Sequence, residues 1–164
     1  MQVDWLRLVN PDFRADVSGT FPINLAFAPV HPRVLALPFN GHLEATGTTL
    51  DRLVRFWPQT VESIHGPFSV SAKVSGTPQI PRFSGEASLR SGKIKALEIA
   101  NPLEDVEVDL SLRQDTVLVT RATGAVRAKG KTGRVEASGS LRLDSYDRFD
   151  FDLRLTGRDV PARF

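Results

Sequence analysis

His31, His42 and His65 are the side chains best suited to act as bases, proton shuttles or metal ligands near neutral pH. Their spacing matches no metal site, and each sits in or beside a turn-like segment, so the expectation is exposed loop or outward strand positions. Carboxylates gather at Glu104, Asp105, Glu107 and Asp109 and again at Asp144, Asp147, Asp150 and Asp152. Paired carboxylates serve acid–base chemistry or calcium binding. Read as strands, however, Glu107 with Asp109, and Asp150 with Asp152, share one outward face. The calcium loop with its central glycine is absent, so a solvated charged face is expected and no metal site.

The run Ala125-Val126-Arg127-Ala128-Lys129-Gly130-Lys131-Thr132 matches a phosphate-binding loop except at its first position, where Ala125 replaces glycine. Such a loop must open a helix whose N-terminus faces the phosphates. Here it leads into Gly133-Arg134-Val135-Glu136-Ala137-Ser138-Gly139, which alternates as a strand does, so a basic hairpin turn is expected. With no stacking aromatic between Arg127 and Arg134, nucleic acid is not expected as a partner. The absence of cysteine removes thiol catalysis, disulfide scaffolds and Cys-ligated zinc together. No catalytic constellation or cofactor site emerges, and the expectation is a protein that is not an enzyme.

The elements that carry these residues are dominated by period two. The chain has 164 residues, 41% of them hydrophobic, with 21 Lys and Arg against 19 Asp and Glu. That is one domain's worth of chain, large enough for a core and too apolar for disorder. No run reaches the ~18 apolar residues of a membrane-spanning helix. Phe68, Val70, Ala72 and Val74 alternate with Ser69, Ser71, Lys73 and Ser75. The same rule gives Phe83, Ala87 and Leu89; Val106, Val108, Leu110 and Leu112; Val135, Ala137, Leu141 and Leu143; and Phe149, Phe151, Leu153 and Leu155. Phe13 to Gly19, Ile23 to Phe27 and Leu35 to Gly47 read alike, for roughly nine or ten strands.

Two stretches depart from alternation and are expected to be helical: Thr48 to Pro58, with Leu50, Leu53, Val54 and Trp57 at i, i+3, i+4 and i+7, and Asp4 to Val9. Helices this short must lie on the sheet, which makes Trp5 and Trp57 anchors into its apolar face. An imperfect repeat, about 11–57 and 58–100, is marked by Val17-Ser18-Gly19-Thr20 returning as Val74-Ser75-Gly76-Thr77. Each copy is followed by a proline and a Phe-x-Gly strand, at Phe39 and at Phe83. A duplicated unit of strands points to stacked or elongated β architecture.

A sheet with one apolar side must cover it, as a sandwich, as a tube, or as a trough filled by something other than protein. Periodicity leaves all three open. The order Val74-Ser75-Gly76-Thr77, Pro78, Pro81, Phe83-x-Gly85, Leu89-x-x-Gly92-x-Ile94, Asn101-Pro102-Leu103-x-Asp105-Val106, and Ala137-Ser138-Gly139-Ser140-Leu141-x-Leu143 resembles the TamB family. These are translocation and assembly module proteins of the bacterial envelope, related to AsmA-like and repeating-groove lipid-transfer proteins.

The resemblance implies an all-β fold: an elongated, curled antiparallel or mixed sheet forming a half-pipe with an apolar interior and one or two short helices. It implies a groove that carries phospholipid acyl chains between the inner and outer membranes or accommodates client β-strands during outer-membrane protein assembly. It also implies a periplasmic location, a parent anchored in the inner membrane, and an outer-membrane BamA-like barrel of the TamA type as partner. Residues 1–164 are expected to be one internal segment of such a protein. Its groove is lined by the alternating residues named above, with no catalytic residues to carry over. The raw edges of such a segment favour self-association. The rival expectation is a self-contained β-sandwich binding or adhesion module with a closed core.

Overall fold

The computed structural model describes residues 2–20, 35, 37–51, 61–97, 101–128, 130–145 and 148–160, the side chains of 2, 3, 143–145, 148 and 149 excepted. The described strands are β1 (Gln2–Asn10), β2 (Phe13–Thr20), β3 (Phe39–Thr49), β4 (Val61–Thr77), β5 (Ile80–Ala96), β6 (Leu103–Gln114), β7 (Thr116–Ala128), β8 (Lys131–Ser145) and β9 (Arg148–Arg158). They form one nine-stranded sheet in chain order, every neighbour antiparallel. The fold is therefore an all-β meander that does not close on itself, and the described strands make a single layer rather than the two of a sandwich.

Tight turns made by local chemistry explain the simple order. The Asn10 side-chain oxygen accepts from the Asp12 amide at 2.9 Å between β1 and β2, and the Thr77 hydroxyl accepts from the Ile80 amide at 3.2 Å between β4 and β5. Between β7 and β8, Gly130 takes a φ of +77°. The phosphate-loop near-miss is thus a hairpin, as its alternating sequel requires; Lys129 lies outside the described residues.

The sheet is bent along a line of irregularities. Register shifts fall between His65 and Phe68 on β4, between Leu89 and Gly92 on β5, and between Glu104 and Glu107 on β6. Ser91 and Asp105, at φ of +45° and +51°, are the left-handed residues of this line. On the adjoining strand Gly66 has a φ of +134°, and a Cβ there would lie 2.7 Å from the Gly92 Cα. Bulges bend the strand that carries them and increase its twist. The result is strong curvature: Cα atoms of β5 and β8 come within 8 Å of one another, where strands three places apart in a flat sheet would be about 14 Å apart.

Two sequence expectations change. Asp4 to Val9 is strand, part of β1, and not helix. A register shift between Val3 and Leu6 breaks the alternation there, and Trp5, Leu6, Leu8 and Val9 then mimic helical spacing. Trp5 is consequently no anchor in the apolar face: it is 61% exposed, with the Arg7 guanidinium 4.7 Å from its ring centroid. The helix expected over Thr48 to Pro58 and its anchor Trp57 lie largely outside the described residues, as do Ile23 to Phe27; Thr48 and Thr49 belong to β3.

Candidate functional site

Partners directly opposite in an antiparallel ladder share a face, so the registers trace rows across the sheet. One row runs Leu6, Val17, Leu43, Ala72, Gly85, Leu112, Val117, Leu141, Phe151. The next runs Leu8, Ala15, Ala45, Val70, Ala87, Leu110, Val119, Gly139, Leu153. A third runs Asn10, Phe13, Gly47, Phe68, Leu89, Val108, Ala122, Ala137, Leu155. Val74 pairs with Phe83, Val106 with Gly92, Val135 with Gly124, and Leu143 with Phe149. Most of the expected groove residues thus share three rows that cross the sheet from edge to edge, and the four pairs just named lie in shorter rows.

This face is unevenly covered. Beside the bulge line Phe68, Leu89 and Val106 are buried together with Ala15 and Ala45, and Phe13, Ile64, Ile94 and Leu103 pack against them. The rings of Phe13 and Phe68 are stacked with centroids 6.1 Å apart. Gly92 is part of the same packing, since a Cβ on it would lie 2.7 Å from Leu89 Cδ2. Away from this end the rows stay half-buried, and at the two edge strands they are open: Leu6 and Leu8 on β1, and Phe151, Leu153 and Leu155 on β9, the last 73% exposed. The apolar face is closed at one end and has two greasy lips.

The opposite face carries the charge. Arg90 bridges β5 and β6, its guanidinium donating to the Val108 carbonyl at 2.9 Å and paired with Glu107 and Asp109. Arg127 reaches from β7 to both Glu104 and Asp105. Hydrogen bonding from Arg127 holds the Glu104 carboxyl below its usual range and raises the Arg127 guanidinium above its own. On β2, Asp16 takes Arg7 at 2.5 Å and Arg14 at 3.1 Å, and the hydrogen bond from Arg7 lowers its pKa most. The first carboxylate cluster is therefore an ion-pair ladder over the bulge line, where it meets backbone and side-chain donors displaced by the extra residues. Asp150 pairs with Arg142 at 3.2 Å.

His42 stands on β3 with Nε2 3.2 Å from Glu44, and His65 on β4 with Nε2 3.6 Å from Asp51; His31 lies outside the described residues. Among the described residues no group of three or more His, Cys, Asp or Glu side chains converges as a metal site would require. No described helix is long and apolar enough to cross a membrane.

A concavity of about 910 Å³ lies on the charged side, lined by hydroxyl and charged residues such as Arg14, Asp16, Ser71, Glu86, Ser88 and Ser111. A twisted sheet is a saddle, concave on each face along opposite diagonals, which is why the polar face has a hollow of its own. Alternation also left out part of the apolar face. Val117, Val119 and Ala122 on β7 belong to its rows, but a register shift between Val119 and Ala122 reverses the parity at Thr120 and Arg121. Val17, Leu43 and Ala45, inside strands that alternation did find, complete the rows on β2 and β3. No protein-family model, curated protein or solved structure matches the chain.

Proposed function

We propose that the apolar face is a lipid-carrying groove, and that the chain acts in the bacterial periplasm as a section of a TamB-like envelope protein that moves phospholipid between membranes. The observation that carries this reading is the unbroken passage of apolar rows across all nine strands of one open layer, with Phe151, Leu153 and Leu155 left exposed at its lip. A layer nine strands wide measures about 40 Å across at a strand spacing of ~4.8 Å. The layer is therefore long enough for an extended acyl chain to lie on it.

The energetics suit carriage rather than storage. Each acyl methylene taken out of water contributes about 0.8 kcal/mol, so ten or so in contact supply about 8 kcal/mol before the cost of association. That corresponds to at most micromolar binding, tight enough to hold a lipid and loose enough to release it. Gly85 thins one row at its centre on β5 and Gly139 thins another on β8, the charged reverse keeps the sheet in water, and the headgroup remains solvated at a lip. Native mass spectrometry of protein purified from cells without detergent is expected to show a population heavier by the mass of one phospholipid. A lipid-free spectrum that stays lipid-free after incubation with phospholipid vesicles would remove this reading.

A further inference from the structure

A second hollow lies on the charged face towards the β4–β5 turn, about 360 Å³ in volume, with Ser18, Asn40, His42, Lys73, Ser75 and Ser84 in its lining. The registers set it over two adjacent rows: Ser18, His42, Lys73, Ser84 and Arg113 in one, and Thr20, Asn40, Ser75 and Arg82 in the next. Both rows run from β2 towards β6, inside the sheet. The site is therefore independent of whatever pairs with β1 or β9.

Cations gather here without counter-ions. Lys73 faces Ser84 from β4 and Arg113 faces it from β6, while Arg82 faces Ser75 across the β4–β5 ladder. At a strand spacing of ~4.8 Å the backbones of Lys73 and Arg113 stand about 10 Å apart, close enough for both long side chains to reach over the Ser84 hydroxyl. Among the described residues none of Lys73, Arg82 and Arg113 forms an ion pair or a side-chain hydrogen bond. The nearby carboxylates are engaged or set back. Glu44 is taken by His42 Nε2 at 3.2 Å, Asp115 at the β6–β7 turn accepts from the Thr116 hydroxyl at 2.9 Å, and Glu86 stands one pleat further along β5, opposite Ser71 and Ser111. Residues 21–38, which join β2 to β3, contain no Asp or Glu.

We propose that this hollow binds a phosphate group, with the guanidinium groups of Arg82 and Arg113, the Lys73 ammonium and the hydroxyls of Ser75 and Ser84 donating to its oxygens. The chemistry of the lining selects an anion. Lys and Arg can only donate and a serine hydroxyl turns to donate as needed, and among the described residues no carboxylate lines the hollow to receive a cation or an amine. Like charges held near one another repel, and an anion between them removes that cost. The arginine forks match two oxygens of one phosphate, while the lysine serves as a point charge. His42 adds an unsatisfied group, its buried Nδ1 having no hydrogen-bond partner. The hollow lies on the reverse of the apolar rows, so it is a second site whether or not lipid occupies the first. A free phosphate ester and a phospholipid headgroup share the chemistry it recognises.

Titration of the full chain with inorganic phosphate and with glycerol 3-phosphate, followed by amide chemical shifts, tests the proposal. Binding is expected to saturate below about 10 mM and to move the amides of Lys73, Ser75, Ser84 and Arg113 most. The double variant Lys73→Gln with Arg113→Gln should weaken it about tenfold or more, since hydrogen bonds from charged donors are the strong ones. Lys131→Gln, on the β7–β8 hairpin, should leave it unchanged. All three of these side chains are exposed, and circular dichroism checks that the variants keep the fold. Sedimentation with phosphatidylcholine vesicles containing phosphatidate separates the sources: co-sedimentation that the double variant loses assigns a headgroup, and binding of the soluble probes without it assigns a free phosphate ester. No saturation with either soluble probe together with no vesicle binding, a double variant that binds as the parent does, or an equal loss in Lys131→Gln would each overturn it.

Discussion

Gly139 stands opposite Leu153 in the ladder, with a φ of +138°, and a Cβ placed on it would collide with the Asp152 carbonyl oxygen. Strained backbone of this kind costs of order 1–3 kcal/mol for a residue with a side chain, and the collision adds to it. Gly139→Val is therefore expected to lower the thermal midpoint measurably, by an unfolding free energy of about 3 kcal/mol. The exposed neighbour Ser138→Ala should change it by no more than about 0.5 kcal/mol. Far-ultraviolet circular dichroism melts of the two variants check the difference. The glycine was visible in the sequence as a gap in an apolar row. What the sequence could not supply was its backbone geometry, because that is set by the neighbouring β9 chain.

At the scale of elements, alternation identifies a strand only as far as its parity is unbroken. It found Phe68 to Gly76 but missed the first part of β4, where a shift between His65 and Phe68 intervenes. It found Phe83 to Leu89 but stopped where β5 bulges at Arg90 and Ser91. It made a helix of Asp4 to Val9 because β1 carries a bulge of its own, and it named no strand over β7. Each error falls at an extra residue, which moves every later side chain to the other face. The carboxylate cluster was legible as a charged face, but not its location over the bend, which depends on three strands in register.

That ladder gives the fold a signed response to acid. Asp16 and Glu104 are held below their usual values of 3.8 and 4.5, first by the hydrogen bonds from Arg7 and Arg127. A carboxyl depressed in the folded state contributes stability that is complete above its unfolded pKa and is lost as pH falls through the folded one. Urea midpoints are accordingly expected to hold steady down to about pH 5 and to fall below about pH 4. Glu104→Gln should lower the midpoint slightly at neutral pH and flatten the acid limb. An acid limb identical to the parent's would show that this pair contributes nothing.

For the whole molecule, the class of fold was legible because most strands obey one polarity rule, and a sheet with one apolar side and short turns meanders naturally. Whether that side would be covered by a second sheet was not legible, because pattern specifies faces and not what lies over them. The registers answer this for the described strands: they form one layer, curled at the bulge line and open at β1 and β9. The curvature follows from bulges that an alternating pattern does not display.

The central claim is that one face of this layer meets lipid and the other meets water. Adjacent residues on one strand separate the faces, so a photo-reactive side chain placed in turn at Leu110 and Ser111, and at Leu141 and Ser140, samples each face within ~3.4 Å of chain. In cells, irradiation is expected to attach phospholipid at Leu110 and Leu141 and to leave Ser111 and Ser140 unlabelled. Equal labelling at all of these positions, or none at Leu110 and Leu141, would contradict the claim.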